Sequence, residues 1–404
     1  MPTPTLAPTL TATAVPPTST PLPPLTNTAV PPSPTATIRP PAALNAELKA
    51  IVEASLPALS EDGLDGFGGV TVFPVSENPP LWAVHTYGFR SFDPLQNHFV
   101  AIYSRAGNQW QELSRLELEN PDFMFEESGR QVALGDGRIW IEIQSGAGAH
   151  GSCYDLLRYD GVTLTDEISN CHSSFASQGV QDLDQDGNPD LILNFTDDYV
   201  FCYACGVRYP FYQVLTWDGD NWQEKGFNTL PTDHPAAAQH NRAVELARAG
   251  LWQEASLELA LSSYRDELTV WNETLISLYV DVLRDQAENG AFPLLGHLFY
   301  GDYGSALNVL RPYSPADLFN PNSPLLAGTV AEGWNDNLAG YVDTVTSSAL
   351  TVEPDLAGAY FLRGWAHYLV DPADPTILPD LQKAAELDPA DPLFSDALTF
   401  LNAG

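Results

Sequence analysis

Gln181-Asp-Leu-Asp-Gln-Asp-Gly-Asn-Pro-Asp-Leu-Ile-Leu-Asn-Phe195 is the most chemically specific stretch of this 404-residue chain. Asp182, Asp184, Asp186 and Asp190 stand at positions 1, 3, 5 and 9 of a short loop, with Gly187 at position 6. Carboxylates spaced two apart around a sharp glycine turn can wrap their oxygens round one hard cation. Calcium accepts about 6–8 such oxygens, and the backbone carbonyl at position 7, here Asn188, is a usual contributor. The expected metal set is therefore Asp182, Asp184, Asp186, Asn188 and Asp190, with Ca2+ as the cofactor. An acidic turn holding no metal is the plainer alternative.

The residues around the loop decide what kind of element carries it. A helix–loop–helix calcium site would place a bidentate Glu at position 12; this chain has Leu193 there. The segment 175–180 is too short and broken for an entering helix. Leu191-Ile-Leu-Asn-Phe195 is a compact apolar run bounded by polar residues, which predicts a strand. The loop thus joins two strands. In this setting it resembles the Asp-x-Asp-x-Asp-Gly-x-x-Asp calcium loops of FG-GAP, integrin-α-like propeller blades. That resemblance implies a metal pinning two strands. Dockerins share the spacing but need a following helix and usually a second copy, and neither is visible.

Working outward, residues 67–230 read as three aligned β-rich segments. The first holds runs at 69–73, 81–87 and 98–113, the second at 130–134, 139–143 and 154–165, and the third at 179–182, 191–195 and 212–224. Each predicts four short strands with a tight turn before the last; Asp160-Gly161 and Asp218-Gly219 are strong hairpin signals. The period of roughly 50–60 residues is at or just above that of propeller blades. The acidic loop falls at the first-to-second-strand turn of the third segment. Ser76–Pro80 and Gly135–Gly137 are the matching, metal-poor turns. Three units are fewer than the usual 4–8 blades, so a partial propeller, a sandwich and a propeller closed by another chain all stay open.

From Asp233 the apolar period changes to that of helices. Here the chain resembles tetratricopeptide (TPR) repeats. Gly250, Trp252, Ala255 and Leu259 follow the small–aromatic–Ala–large spacing, Gly301, Tyr303, Ala306 and Leu310 repeat it, and Gly364, Ala384 and Pro389 belong to a third such unit. The units are not in strict tandem, and 314–333 reads as a loop-rich insertion. The resemblance implies a solenoid that binds a protein or peptide partner in a groove. A helical stack that only packs on the β region is the plainer alternative.

Residues 1–41 contain 13 Pro and 11 Thr. Such a composition cannot bury a core and favours an extended stalk. It resembles the Thr/Pro tether of bacterial surface lipoproteins, which implies a lipidated cysteine upstream of Met1. Residues 42–66 read as an amphipathic helix (Leu44, Leu48, Ile51, Val52, Leu56) and a linker. The expected organisation is thus a stalk (1–41), a helix and linker (42–66), a β-repeat domain (67–232) and a helical domain (233–404): a multidomain β + α protein.

The totals exclude some partners. Seventeen Lys and Arg face 52 Asp and Glu, for a net charge of −35. Like-charge repulsion disfavours nucleic acid and anionic membrane surfaces. No apolar run is long enough to span a bilayer. Cys153, Cys171, Cys202 and Cys205 flank the acidic loop. Two disulfides in an oxidising compartment are the favoured reading, with connectivity open; a zinc site and a redox Cys-x-x-Cys are the alternatives.

No nucleophile elbow, zinc-protease helix motif or phosphate-binding loop occurs. His150 beside Ser152 lacks an orienting carboxylate, and Asp197-Asp198 carries little weight among so many acids. The expectation is a non-enzymatic extracellular or cell-surface binding or scaffold protein. A glycan-binding or glycan-processing protein, using Trp110, Tyr159, Trp217 and Trp222, is the alternative.

Overall fold

The computed structural model describes residues 42–56, 66–92, 95–172 and 177–403. The stalk expected over 1–41 and residues 57–65 of the expected helix and linker lie outside these. Residues 40–404 cluster as one unit. The protein mixes β and α: one helix, then antiparallel sheets, then the remaining helices.

The first β segment contains β1 (Gly66–Glu77), β2 (Pro80–Phe89), the short hairpin β3 (Ser91–Phe92) and β4 (Leu95–Gln96), β5 (His98–Ala106) and β6 (Gln109–Leu118). β7 (Phe123–Met124) follows. The second segment contains β8 (Gly129–Val132), β9 (Ile139–Ala147), β10 (Gly151–Tyr159) and β11 (Leu164–His172). The third contains β12 (Gly179–Gln181), β13 (Asp190–Asn194), β14 (Tyr212–Trp217) and β15 (Trp222–Glu224). Each segment forms a four-stranded antiparallel meander: β1-β2-β5-β6, β8-β9-β10-β11 and β12-β13-β14-β15. β7 pairs with both β2 and β9, joining the first two meanders into one nine-stranded sheet.

Side-chain alternation turns these meanders into layers. On β2, Leu81 and Ala83 pack with Ile141, Ile143 and Leu157 of the second meander. Their neighbours Trp82 and Val84 face the other way, onto Leu48 and Val52 of helix α1 (Ala42–Glu53). On the second meander, Trp140, Tyr154 and Leu156 pack against Leu191, Leu193 and Trp217 of the third. The third meander's remaining face, Ile192 and Val214, packs on Trp271 and Leu275 of helix α4 (Glu267–Asn289). The order is therefore helix, three meanders face to face, helix, with the first two meanders being the two halves of one curled sheet. Because both faces of the central strands are buried, those strands are apolar on consecutive residues. Each fully buried aliphatic side chain contributes about 1.5–3 kcal/mol.

α1 is tied down by Trp82 Nε1 donating to Asn45 (3.0 Å) and Trp110 Nε1 donating to Glu47 (3.1 Å). Ile51, expected on its apolar face, is 48 % exposed; Leu44, Leu48, Val52 and Leu56 make the contact instead. The outer edge of β1 is blunted. Glu53 accepts from Val70 N, Gln131 Nε2 donates to Val75 O, and Pro74 has no donor to offer. Such devices prevent edge-to-edge pairing.

The helical region follows with α2 (Ala237–Arg248), α3 (Trp252–Ala260), α4, α5 (Pro293–Tyr300), α6 (Tyr303–Leu310), α7 (Pro315–Leu318), α8 (Asn335–Val352), α9 (Ala357–Val370), α10 (Ile377–Leu387) and α11 (Pro392–Ala403). Gly250 and Gly301 sit at the breaks between α2 and α3 and between α5 and α6, with φ of 78° and 85°. Only glycine takes such angles without strain. Ala255, Ala306 and Ala384 are fully buried where helices meet. A Cβ on Gly364 of α9 would press against Asp380 and Leu381 of α10 at 3.2–3.3 Å. α4 and α8, the two longest helices, stand between these short pairs. The 314–333 stretch is a loop around one turn of helix, yet it buries Leu318, Phe319, Leu325 and Leu326.

One insertion extends the contact between the β and α parts beyond the packing of β13 and β14 on α4. Residues 196–211, between β13 and β14, send Val200, Phe201 and Val207 into the helical core. Gln286 of α4 bonds both the N–H and the carbonyl of Arg208 at 2.8 Å. Asn337 of α8 donates to Val200 O, and Tyr341 of α8 to Asp197.

Both cysteine pairs are disulfides. Cys153–Cys171 staples β10 to β11 at a register pair, and Cys202–Cys205 closes a tight turn within the insertion.

Candidate metal centre

The acidic loop spans the turn from β12 to β13, whose last pair is Gln181 with Asp190. Asp190 forms its floor. It is 1 % exposed and accepts from Leu183 N (2.9 Å) and from the hydroxyl of Thr216 (2.8 Å) on the neighbouring strand. Gln185 and Gly187 both take left-handed angles, φ 63° and 89°. These turns let the loop bring three of its carboxylates together. Asp182 also accepts from Gly187 N (3.1 Å), and Asp184 from Asp186 N (3.3 Å).

The outcome is a set of three. Asp182, Asp184 and Asp190 bring one carboxylate oxygen each to within 4.8 Å of one another. Asp186 lies outside this group; its carboxylate turns onto Asn188 N at 2.7 Å. Asn188 is exposed at the loop's tip. Three converging carboxylates are an all-oxygen, hard donor set, which fits a hard cation. Burial raises the carboxyl pKa values of Asp184 and Asp190, and the neighbouring charges of Asp186 and Asp182 add to the effect at Asp184. A cation at the centre would relieve that strain between like charges.

Three further participants were not singled out by the sequence reading. Lys225, next to β15, sets its ammonium 3.9 Å from Asp184 Oδ2 and 3.7 Å from the centre of the Trp271 ring. Leu183, between two of the carboxylates, packs on the cluster of Ile192, Val214, Trp271 and Leu275. Glu142, 2 % exposed on β9, accepts from Arg130 (2.7 Å), Tyr154 (3.1 Å) and Val180 N (2.8 Å), and so holds the strand entering the loop. Its one available cue is a lone acid inside the apolar run Ile139–Ile143.

The matching turns do different work. Asp136, in the second meander, accepts from Trp140 Nε1 and Arg138 N, both at 3.0 Å. The first meander turns directly from Glu77 to Pro80.

The aromatic candidates lie mostly inside. Tyr159 and Trp217 are 3 % and 5 % exposed, Trp222 packs on the Trp217 ring, and Trp110 packs edge-on against Trp82. Exposed rings stand instead at Phe89 and Phe125, and on the insertion at Tyr199 and Phe211. His150 stacks on Tyr203 at 3.8 Å, and Asp198 pairs with Arg208 at 3.0 Å.

No protein-family model matches this sequence, and no curated protein is similar to it.

Proposed function

We propose that this is a non-enzymatic, extracellular or cell-surface binding protein, in which Ca2+ stiffens the β region and the helical pairs hold a protein partner. The observation that carries the reading is the loop at Asp182. Its three carboxylates come within 4.8 Å of one another, while Leu183 between them packs, half-buried, on the cluster that Ile192 and Val214 form with Trp271 and Leu275 of α4. A cation there would fix the third meander to the helical region as well as to itself. In this reading the three face-to-face meanders are a propeller segment of FG-GAP type, with α1 and α4 covering the two faces that further blades would occupy. The helical pairs with glycine breaks and buried alanines are a degenerate TPR-like stack. The two disulfides fit an oxidising compartment. Among the described residues, no helix is long and apolar enough to cross a membrane.

Calcium titration of the full chain tests the metal. Loops of this type bind at about 10⁻⁴–10⁻³ M, and calcium at tenfold its dissociation constant stabilises by about 1.4 kcal/mol. The melting temperature should rise in millimolar calcium and fall on chelation, and Asp184→Ala should erase the difference. A melt indifferent to calcium retires the metal. The exposed Tyr199 and Phe211 favour a glycan as the second reading, which a glycan array on the full chain would decide.

A further inference from the structure

The helical region has an apolar stripe that its own core does not use. Leu257 and Leu261 are four apart, at the end of α3, and are 62 % and 72 % exposed. The chain then turns through Tyr264 (42 % exposed) to Leu268 (47 % exposed), the second residue of α4. The inward side of α3 is already satisfied: Ala255 is fully buried, and Trp252 stacks on Tyr279 at 4.2 Å. Leu257 and Leu261 are therefore not needed to hold α3 in place.

The charge beside the stripe has one sign. Between residues 249 and 283 the acids are Glu254, Glu258, Asp266, Glu267, Glu273 and Asp281, and the one base is Arg265. Arg265 is itself neutralised by Glu273 at 3.0 Å. Asp233 is exposed next to His234, whose ring meets Tyr264 edge-on. A ligand covering four large apolar side chains here must also meet Glu258, Glu267 and Asp233. An acidic or neutral segment would leave those carboxylates beside a dry contact without counter-charge, which is costly.

We infer that Leu257, Leu261, Tyr264 and Leu268 form the docking stripe for a basic amphipathic helical segment of a partner protein. Its apolar side chains at spacings of three and four lie along Leu257 and Leu261, and its Lys or Arg side chains reach the flanking acids. This is recognition of an amphipathic helix through anchors at the spacing of helical turns. It rests on the reading of the helical region as the protein-binding part, and names where and by what chemistry.

The test uses the full chain and two synthetic peptides of identical Leu/Lys composition, one with its leucines at helical spacing and one with strict alternation. Anisotropy titration should show the helical peptide bound more tightly, and more weakly as salt is raised. Leu257→Ser with Leu261→Ser should weaken it roughly tenfold or more, about 1.4 kcal/mol or more, with an unchanged melting temperature. Val370→Ser with Phe400→Ser, on exposed apolar residues of α9 and α11, should leave binding intact. Equal binding of both peptides, or indifference to the stripe variant, overturns the inference. Loss only in the α9/α11 variant overturns the stripe but keeps a protein-binding helical region. Binding that no helical variant alters removes both.

Discussion

Trp271→Ala is expected to destabilise the protein by about 3–5 kcal/mol, as for other fully buried Trp residues. Trp271 is 1 % exposed, and its ring fills the seam between α4 and the third meander, against Ile192 and Val214. Its indole N–H donates to Gly226 O at 2.8 Å, so truncation also orphans a carbonyl. Lys225 loses the ring face over which its ammonium sits. The damage should be local in kind. Hydrogen exchange ought to rise first in β13, β14 and α4, while the seam between the first two meanders, around Ile102 and Ile141, stays protected. Urea unfolding with exchange mapping measures both. A loss under about 1 kcal/mol would mean that the seam repacks around a smaller side chain, and the account of α4 as the cover of the third meander would fall.

The same seam shows what a single sequence reveals and what it hides. The three meanders were legible because tight-turn chemistry at Asp160-Gly161 and Asp218-Gly219 and short apolar runs are local signals. The position of the acidic loop followed from Leu191–Phe195 being a strand. The helix breaks at Gly250 and Gly301 were legible for the same local reason. α4 was not named in advance, although Asp266 and Thr269 form a capping box at its start. Its inward face reads as ordinary helix until one knows that a sheet lies opposite. β7 is two residues long, below any periodicity, yet it joins two meanders. The insertion at 196–211 has no regular pattern; its Val200 and Phe201 are buried because the helical core receives them, Phe201 against Phe292. At the candidate site the carboxylates were legible and their sorting was not. Whether Asp186 turns inward depends on a competing bond to Asn188 N, and the role of Lys225 depends on a helix 46 residues away in the chain.

Acidification from about pH 7 to about pH 4 should draw out two opposed contributions to stability, each worth several kcal/mol. His98 is fully buried in β5, its Nδ1 3.0 Å from the Thr86 hydroxyl. Burial, with the nearby His85 and Arg90, lowers its pKa to about 4 against Asp122. Unfolded, the ring titrates near 6.5, so over this range the unfolded chain binds the extra proton. The contribution of His98 is complete above about pH 6.5 and is lost as pH falls towards 4; at about 1.4 kcal/mol per tenfold in proton affinity it amounts to ~3 kcal/mol. Asp155 on β10 runs the other way. It is 2 % exposed, holds one hydrogen bond from Ser169 at 2.6 Å, and burial raises its carboxyl to about 6. Its contribution is complete below the ordinary carboxylate range and is lost as pH rises through 6, again by ~3 kcal/mol. The two slopes oppose each other over much of the same window, and Asp166, which burial and the nearby Asp155 push up to about 7, adds to the Asp155 side, so the parent profile alone does not separate them. Single variants separate them. His98→Gln should gain on the parent as pH falls, and Asp155→Asn should lose on it, each by up to ~3 kcal/mol, with the double variant returning near the parent slope. Urea unfolding at intervals across that range reads each difference. Single-variant profiles that run parallel to the parent would show that neither group is shielded from water as its burial in these sheets requires.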